Sequence, residues 1–229
     1  MNRELLHRRV AEVRVRIQRA GGVGVQLIAV TKTWGADAML GAYDTGCDGL
    51  GENYAQELIH KIAFVAPARR LPVHFIGHLQ KNKVKLLIDI VDVWQSIDRA
   101  SIVDELIKQY RASAKTPAPI IMVQVNTTGE PSKSGCDQAD VSTLLARAQA
   151  GGLRVCGLMT IGPTSGEIVE VRRAFKLLGE LADFHGLVER SMGMTADFEL
   201  AVELGATSVR LGSALFGERP SQPMADEIK

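Results

Sequence analysis

The sequence predicts an α/β fold in which eight parallel strands alternate with helices and close into a (β/α)8 barrel. Three observations carry this expectation. Apolar or β-branched runs alternate with helical patterns along the chain. Several runs, PIIMVQVN among them, are apolar almost throughout, as strands covered on both faces are. Polar residues and glycines collect where the runs end, which is the end of a barrel that carries chemistry. The competing architecture is an open, doubly wound sheet.

An amphipathic helix over about residues 2–20 opens the chain. Strands are expected at Gln26–Lys32, Cys47–Glu52, Pro72–His78, Val91–Ile97, Pro119–Asn126, Leu153–Ile161, near Ser191–Met194, and at Ser208–Phe216. The seventh has the weakest signal, because ERSMGM is short and scarcely apolar. Helices are expected between them at Ala36–Asp44, Asn53–Ala66, Lys81–Asp89, Arg99–Ala114, Asp137–Ala150, Gly166–Phe184 and Ala196–Leu204. A short polar tail over about residues 218–229 follows. With no Ser/Gly tract, Pro-rich run or charge block to act as a linker, residues 1–229 read as one domain.

Composition narrows the function classes. Among 229 residues, 27 Lys plus Arg face 26 Asp plus Glu, a net charge of +1. That balance leaves no electrostatic footprint for nucleic acid or an anionic membrane. Apolar residues make up 46%, enough for a core, which excludes disorder. No apolar stretch reaches the ~18 residues of a membrane span, and the charged N-terminus lacks the apolar centre of a secretory signal. Cys47, Cys136 and Cys156 are odd in number and form no Cys-x-x-Cys pair, which suits a reducing, cytoplasmic compartment. The five histidines lack zinc-ligand spacing, so no metal is expected.

Lys32 ends the strongly apolar strand LIAVTK. A partly desolvated lysine is a competent amine nucleophile toward a carbonyl compound. Taken alone, a strand-end lysine is more often one that snorkels to solvent. The C-terminal third is sharper. SMGMTADFELAVELGA reads as a strand end, a turn and a helix. Thr195 is the expected N-cap, with Asp197 in the first turn. Ser191, Gly193 and Met194 lie just before a helix N-terminus with free N–H groups, and glycine permits close backbone approach. The following strand ends in RLGSALFG, where Gly212 and Ser213 offer further donors. Loops after strands seven and eight of a barrel commonly bind phosphate; by spacing alone, turn glycines and an ordinary cap explain these residues equally well. Strand alternation puts Arg210 on the same side as Gly212. A lysine, a phosphate nest and an inward arginine together suit pyridoxal 5′-phosphate, which has an aldehyde, a phosphate and a pyridine nitrogen. Asn53 and Tyr54 lie at a strand end, as ligand contacts or helix caps. His78 reads as structural, Met159 as packing, and Lys133, in GEPSKSG, as solvated.

The segments LIAVTKTW, GENYAQE, HFIGHLQKNK, WQSID, VNTTGEPSKSG, GLMTI and SMGMTADFELAVELGATSVRLGSALFG resemble the pyridoxal phosphate homeostasis proteins, nearly end to end. The resemblance implies a single TIM barrel like the N-terminal barrel of alanine racemase. It puts Lys32 on the family's Schiff-base lysine. Ser191, Gly193, Met194 and Thr195, with Gly212 and Ser213, fall on the phosphate cradle. Arg210 falls on the arginine facing the pyridine nitrogen, and Asn53 on a pocket-lining position. The implied function is to hold pyridoxal 5′-phosphate as an internal aldimine on Lys32, buffering it and delivering it to apo-enzymes without substantial turnover. Racemases of this fold complete their site with a tyrosine from a second domain, whereas here the barrel fills the sequence, a self-contained unit compatible with a monomer. The alternatives are a racemase-like enzyme on a reduced scaffold and an unrelated barrel enzyme acting on a phosphorylated metabolite.

Overall fold

A computed structural model describes residues 2–113 and 116–218. Helix α1 (Arg3–Arg19) starts at Asn2, whose side chain accepts the Leu5 N–H at 3.1 Å. Its buried stripe is Leu6, Val10, Val13 and Ile17, the spacing of one helical face. Eight strands follow: β1 (Gln26–Val30), β2 (Gly49–Glu52), β3 (Val73–Phe75), β4 (Val93–Ile97), β5 (Ile120–Gln124), β6 (Arg154–Met159), β7 (Glu189–Ser191) and β8 (Ser208–Leu211). All pair in parallel with their sequence neighbours, and β8 returns to β1 through Ile28↔Arg210, which closes the barrel. The open-sheet alternative is thereby excluded. Helices α2 (Ala36–Asp44), α3 (Ala55–Ile62), α4 (Lys81–Leu87), α5 (Ala100–Ala112), α6 (Val141–Ala150), α7 (Ile168–Phe184) and α8 (Phe198–Glu203) alternate with the strands, and α9 (Ser213–Phe216) follows β8. None is long and apolar enough to cross a membrane.

Two apolar cores result. The large one lies between the outward strand faces and the helices, and includes Trp94, Phe75, Phe175, Leu50 and Leu58. The small one, Val93, Met122 and Met159, is packed by Ile120, Cys156 and Ile161. Met159 is therefore packing, as its type suggests. The three thiols are desolvated; burial pushes Cys47 up to about 11 and Cys136 and Cys156 to about 12, which keeps them protonated at neutral pH.

The boundaries differ from expectation where backbone crowding or a turn intervenes. The third strand stops at Phe75 rather than His78; at Gly77 a Cβ would lie 2.3 Å from the Asn53 carbonyl oxygen, so two loops touch there through backbone alone. The third helix starts at Ala55, which leaves Asn53 outside it. The seventh strand lies at Glu189–Ser191, earlier than expected, because Gly193 at φ +95° turns the chain. Ser213–Phe216 form a helix, not a strand end: Gly212 breaks the strand, and its carbonyl accepts the Leu215 and Phe216 N–H groups. Ala114, at the end of the expected fifth helix, and all of the expected polar tail except Glu218 lie outside the described residues.

Candidate cofactor site

The predicted site residues converge on four adjacent strands, β7, β8, β1 and β2, at their C-terminal ends. The local reasons differ for each. On β1, Ile28 and Val30 point to one side: a Cβ on Gly51 would meet both, and one on Gly212 would meet Val30. Lys32 follows two residues after the strand, half-buried in the turn beyond it. The turn packs against the end of β8 through Trp34 and Phe216, whose ring centroids are 5.7 Å apart.

The loop after β7 carries Gly193, and only glycine fits there. Its φ is +95°, and a Cβ would lie 2.7 Å from that of Ala201 and 3.0 Å from the Phe198 Cα. Gly193→Ala is expected to lose about 1–3 kcal/mol, measured by urea unfolding. The Gly193 carbonyl accepts the Arg210 N–H at 3.0 Å, which ties the loop to β8. Thr195 does not cap α8. Asp197 occupies that position, and its carboxylate accepts the Met194 N–H at 2.6 Å, closing the turn. The Thr195 hydroxyl instead meets the Ser213 hydroxyl at 3.2 Å and accepts the Ala214 N–H at 3.3 Å. The reason is spatial: the β7 and β8 loops are neighbours on the rim, so Thr195 finds donors across the gap before any in its own turn. Burial pushes the Asp197 carboxyl up, while the Met194 N–H and Arg210 pull it down. Met194 itself is 40% exposed at the mouth.

Arg210 is 4% exposed inside the barrel. One guanidinium nitrogen donates to the Ser191 hydroxyl at 2.6 Å and the other to the Thr160 carbonyl at 2.7 Å. Ser191 donates on to Gln95 Oε1 at 2.7 Å, and the Gln95 amide pairs with His74 Nδ1 at 2.7 Å. Gln95 on β4 and Ser191 on β7 are not neighbours in the sheet, so this bond crosses the barrel interior. Every donor points the same way, from Arg210 toward His74, and such chains polarise one another. The Ser191 hydroxyl thus joins Arg210 to Gln95. Burial pulls Arg210 down to about 10, with Asp197 opposing, so the guanidinium stays charged at neutral pH.

Burial also pulls His74 from 6.5 down to about 4, keeping the ring neutral. Between these values the unfolded chain binds more protons than the fold. His74's contribution to stability is complete above pH 6.5 and is lost as pH falls toward 4. The expected loss is about 3 kcal/mol, read as a urea midpoint that falls across this window and falls less steeply in His74→Gln.

Asn53, just past β2, has a buried side-chain oxygen with no partner among the described residues. Tyr54 beside it is 52% exposed. Lys133 is anchored rather than free in solvent: its ammonium donates to the Gly162 carbonyl at 2.8 Å. His78 lies 3.9 Å from Asp98 and stays largely exposed. The residues missed by sequence reasoning are His74, Gln95 and Thr160. Their signal was a polar residue inside an apolar strand, VHF and VWQSI, or directly after one, as Thr160 follows RVCGLM. A cavity of about 1260 Å³ opens at the other end of the barrel, lined by strand starts such as Gln26, Val93 and Ile120. His74 lines it and is also the last member of the Arg210–Ser191–Gln95 chain, while Lys32, Thr195 and Ser213 lie at the strand C-terminal ends.

Comparison with known proteins agrees with this fold. Residues 3–220 match the family described as alanine racemase, N-terminal domain. The pyridoxal phosphate homeostasis protein of Pseudomonas aeruginosa is 40% identical over 221 residues, covering 92% of this chain and 94% of that one. The structure of PipY from Synechococcus elongatus with PLP bound superposes with a TM-score of 0.82 at 32% identity, covering 93% of this chain and all of that one (100%). An alanine racemase from Clostridium difficile shares the fold, at a TM-score of 0.75 and 13% identity over 93% of this chain and 58% of its own. A barrel that closes in the racemase manner, together with 40% identity along nearly its whole length, makes this chain a member of the pyridoxal phosphate homeostasis protein family.

Proposed function

We propose that the protein binds pyridoxal 5′-phosphate reversibly and covalently through Lys32, and acts in its buffering and delivery rather than in catalytic turnover. The observation that carries this reading is the buried Arg210 of β8, followed two and three residues on by Gly212 and Ser213, with the Thr195–Ser213 hydroxyl pair in the loops after β7 and β8 and Lys32 in the turn after β1. The three features match the three polar ends of that cofactor. The Thr195 and Ser213 hydroxyls, with backbone N–H groups of Gly212 and Ser213, suit a phosphate. Arg210, held by Ser191 and the Thr160 carbonyl, would face the ring nitrogen as a charged donor. The partnerless Asn53 oxygen is a further polar group to be satisfied by a ligand. Pyridoxal phosphate supplies an aldehyde, which forms a C=N bond with a neutral primary amine and releases one water.

Arg210 also supports the non-catalytic reading. A donor that is always charged keeps the ring nitrogen unprotonated, which weakens the ring as an electron sink. Family membership points the same way, toward homeostasis. Delivery to apo-enzymes, a soluble cytoplasmic setting and a monomeric state complete the proposal.

The test is a visible absorption spectrum with added pyridoxal phosphate, followed by borohydride reduction and peptide mapping. A band that disappears on reduction, with the label on Lys32, supports binding; a colourless protein that takes up none defeats it. Exchange of amino-acid α-protons in deuterated water separates the two readings of the site. Turnover-rate exchange favours a racemase-like enzyme, and its absence favours a carrier.

A further inference from the structure

Behind the Lys32 turn lies an arrangement that binding does not explain. Lys61 on α3 is 4% exposed, an unusual position for an ammonium. Its Nζ donates to the Thr31 carbonyl at 2.7 Å and the Trp34 carbonyl at 3.2 Å. It also lies 2.7 Å from Glu52 Oε1 and 2.7 Å from Glu57 Oε1. The two carboxylates grip the same turn. Glu52 accepts the Thr31 hydroxyl at 2.5 Å, and Glu57 accepts the Thr33 N–H at 2.7 Å. Thr33 has φ +68°, a left-handed conformation that a β-branched residue adopts only when its surroundings impose it.

Four anchors therefore hold residues 31, 33 and 34, on both sides of Lys32. Burying an ammonium with two carboxylates is a costly way to hold a turn, and apolar packing generally does it more cheaply. What the charges add is geometry: one ammonium converging on two carbonyls fixes the carbonyl directions, and thereby the direction of the intervening side chain.

We propose that Lys61, acting with Glu52 and Glu57, is the positioning residue for Lys32, setting the Thr31–Trp34 backbone so that the Lys32 amine is presented for covalent capture of an aldehyde ligand. The inference rests on the reading of Lys32 as the attachment residue. It predicts that the network governs capture far more than it governs recognition of the phosphate and ring.

Two ligands separate these effects. Pyridoxal 5′-phosphate reports capture, as the rate at which its visible band appears after mixing. Pyridoxine 5′-phosphate, which has no aldehyde, reports recognition by phosphate and ring, as a dissociation constant from fluorescence titration. In Lys61→Met, capture is expected to slow at least tenfold, with the pyridoxine 5′-phosphate dissociation constant changed less than threefold. Glu57→Ala, at a partly exposed position that folding tolerates, is expected to slow capture severalfold, and Glu57→Gln, which keeps the acceptor, to restore it. These two variants decide the matter if Lys61→Met does not fold. Capture within twofold of the parent protein in the folded variants overturns the proposal, as does an equal loss for both ligands. Lys32→Ala is the control for the underlying reading. If capture persists without Lys32, that reading fails; if capture needs Lys32 but ignores the network, only this inference fails.

Discussion

Replacing Lys32 by alanine is expected to abolish covalent capture of pyridoxal phosphate and to weaken its binding by at least about 100-fold, some 2.7 kcal/mol. The residue supplies the only bond in the proposed site that is not a hydrogen bond or a charge contact. What remains in the variant is the Thr195–Ser213 pair and Arg210, which is anchored by Ser191 and the Thr160 carbonyl. Residual binding should therefore resemble that of pyridoxine 5′-phosphate to the parent protein, with no visible band and no borohydride-stable label. Folding should be little affected. Lys32 sits beyond the β1 ladder and is half-buried, so a stability change under about 1 kcal/mol is expected. Absorption titration and thermal unfolding on the same sample separate the two effects. A label that moves to another lysine with unchanged affinity would count against Lys32.

Arg210→Met is expected to split stability from binding in the other direction. Arg210 sits among neutral acceptors, the Ser191 hydroxyl and the Thr160 carbonyl, with Asp197 its main opposing charge. Its descent from 12.5 to about 10 means that the interior disfavours its charge, by about 3 kcal/mol. Methionine removes that penalty and also removes two charge-assisted hydrogen bonds worth about 1.5–3 kcal/mol each. The first offsets at least half of the second, so unfolding stability should fall by no more than about 3 kcal/mol. Affinity for pyridoxal phosphate should fall about 10- to 100-fold, the loss of one charge-assisted contact to the ligand. Urea unfolding and absorption titration read the two quantities. A collapse of stability with unchanged affinity would make Arg210 a structural residue only.

Both variants act where the sequence is most informative. The alternation of apolar runs with helical patterns specified a closed barrel, and the run ends marked its chemical rim, because strand and helix periodicities are properties of short windows. Lys32, Thr195, Arg210 and Ser213 were legible for the same reason: each stands at a strand end or in the loop beyond it, next to glycine or a helix start. Boundaries were less legible. Ser213–Phe216 reads as an apolar strand end, yet Gly212 turns it into a helix whose Phe216 meets Trp34 from the opposite end of the chain.

The roles of particular side chains lay beyond sequence altogether. Ser191 reads as a phosphate ligand because it precedes a glycine turn, but its hydroxyl joins Arg210 to Gln95, a residue 96 positions away. Lys61 carries no motif, yet it stands at helical spacing from the buried Ala55 and Leu58 and is enclosed with them. The sequence by itself determined the barrel, the family and the residue types gathered at one rim, since all three depend on local pattern. Only the tertiary structure decided what each buried polar group holds. A buried donor must find an acceptor somewhere, and barrel closure, rather than any local motif, brings Ser191 to Gln95 and Arg210 to the Thr160 carbonyl.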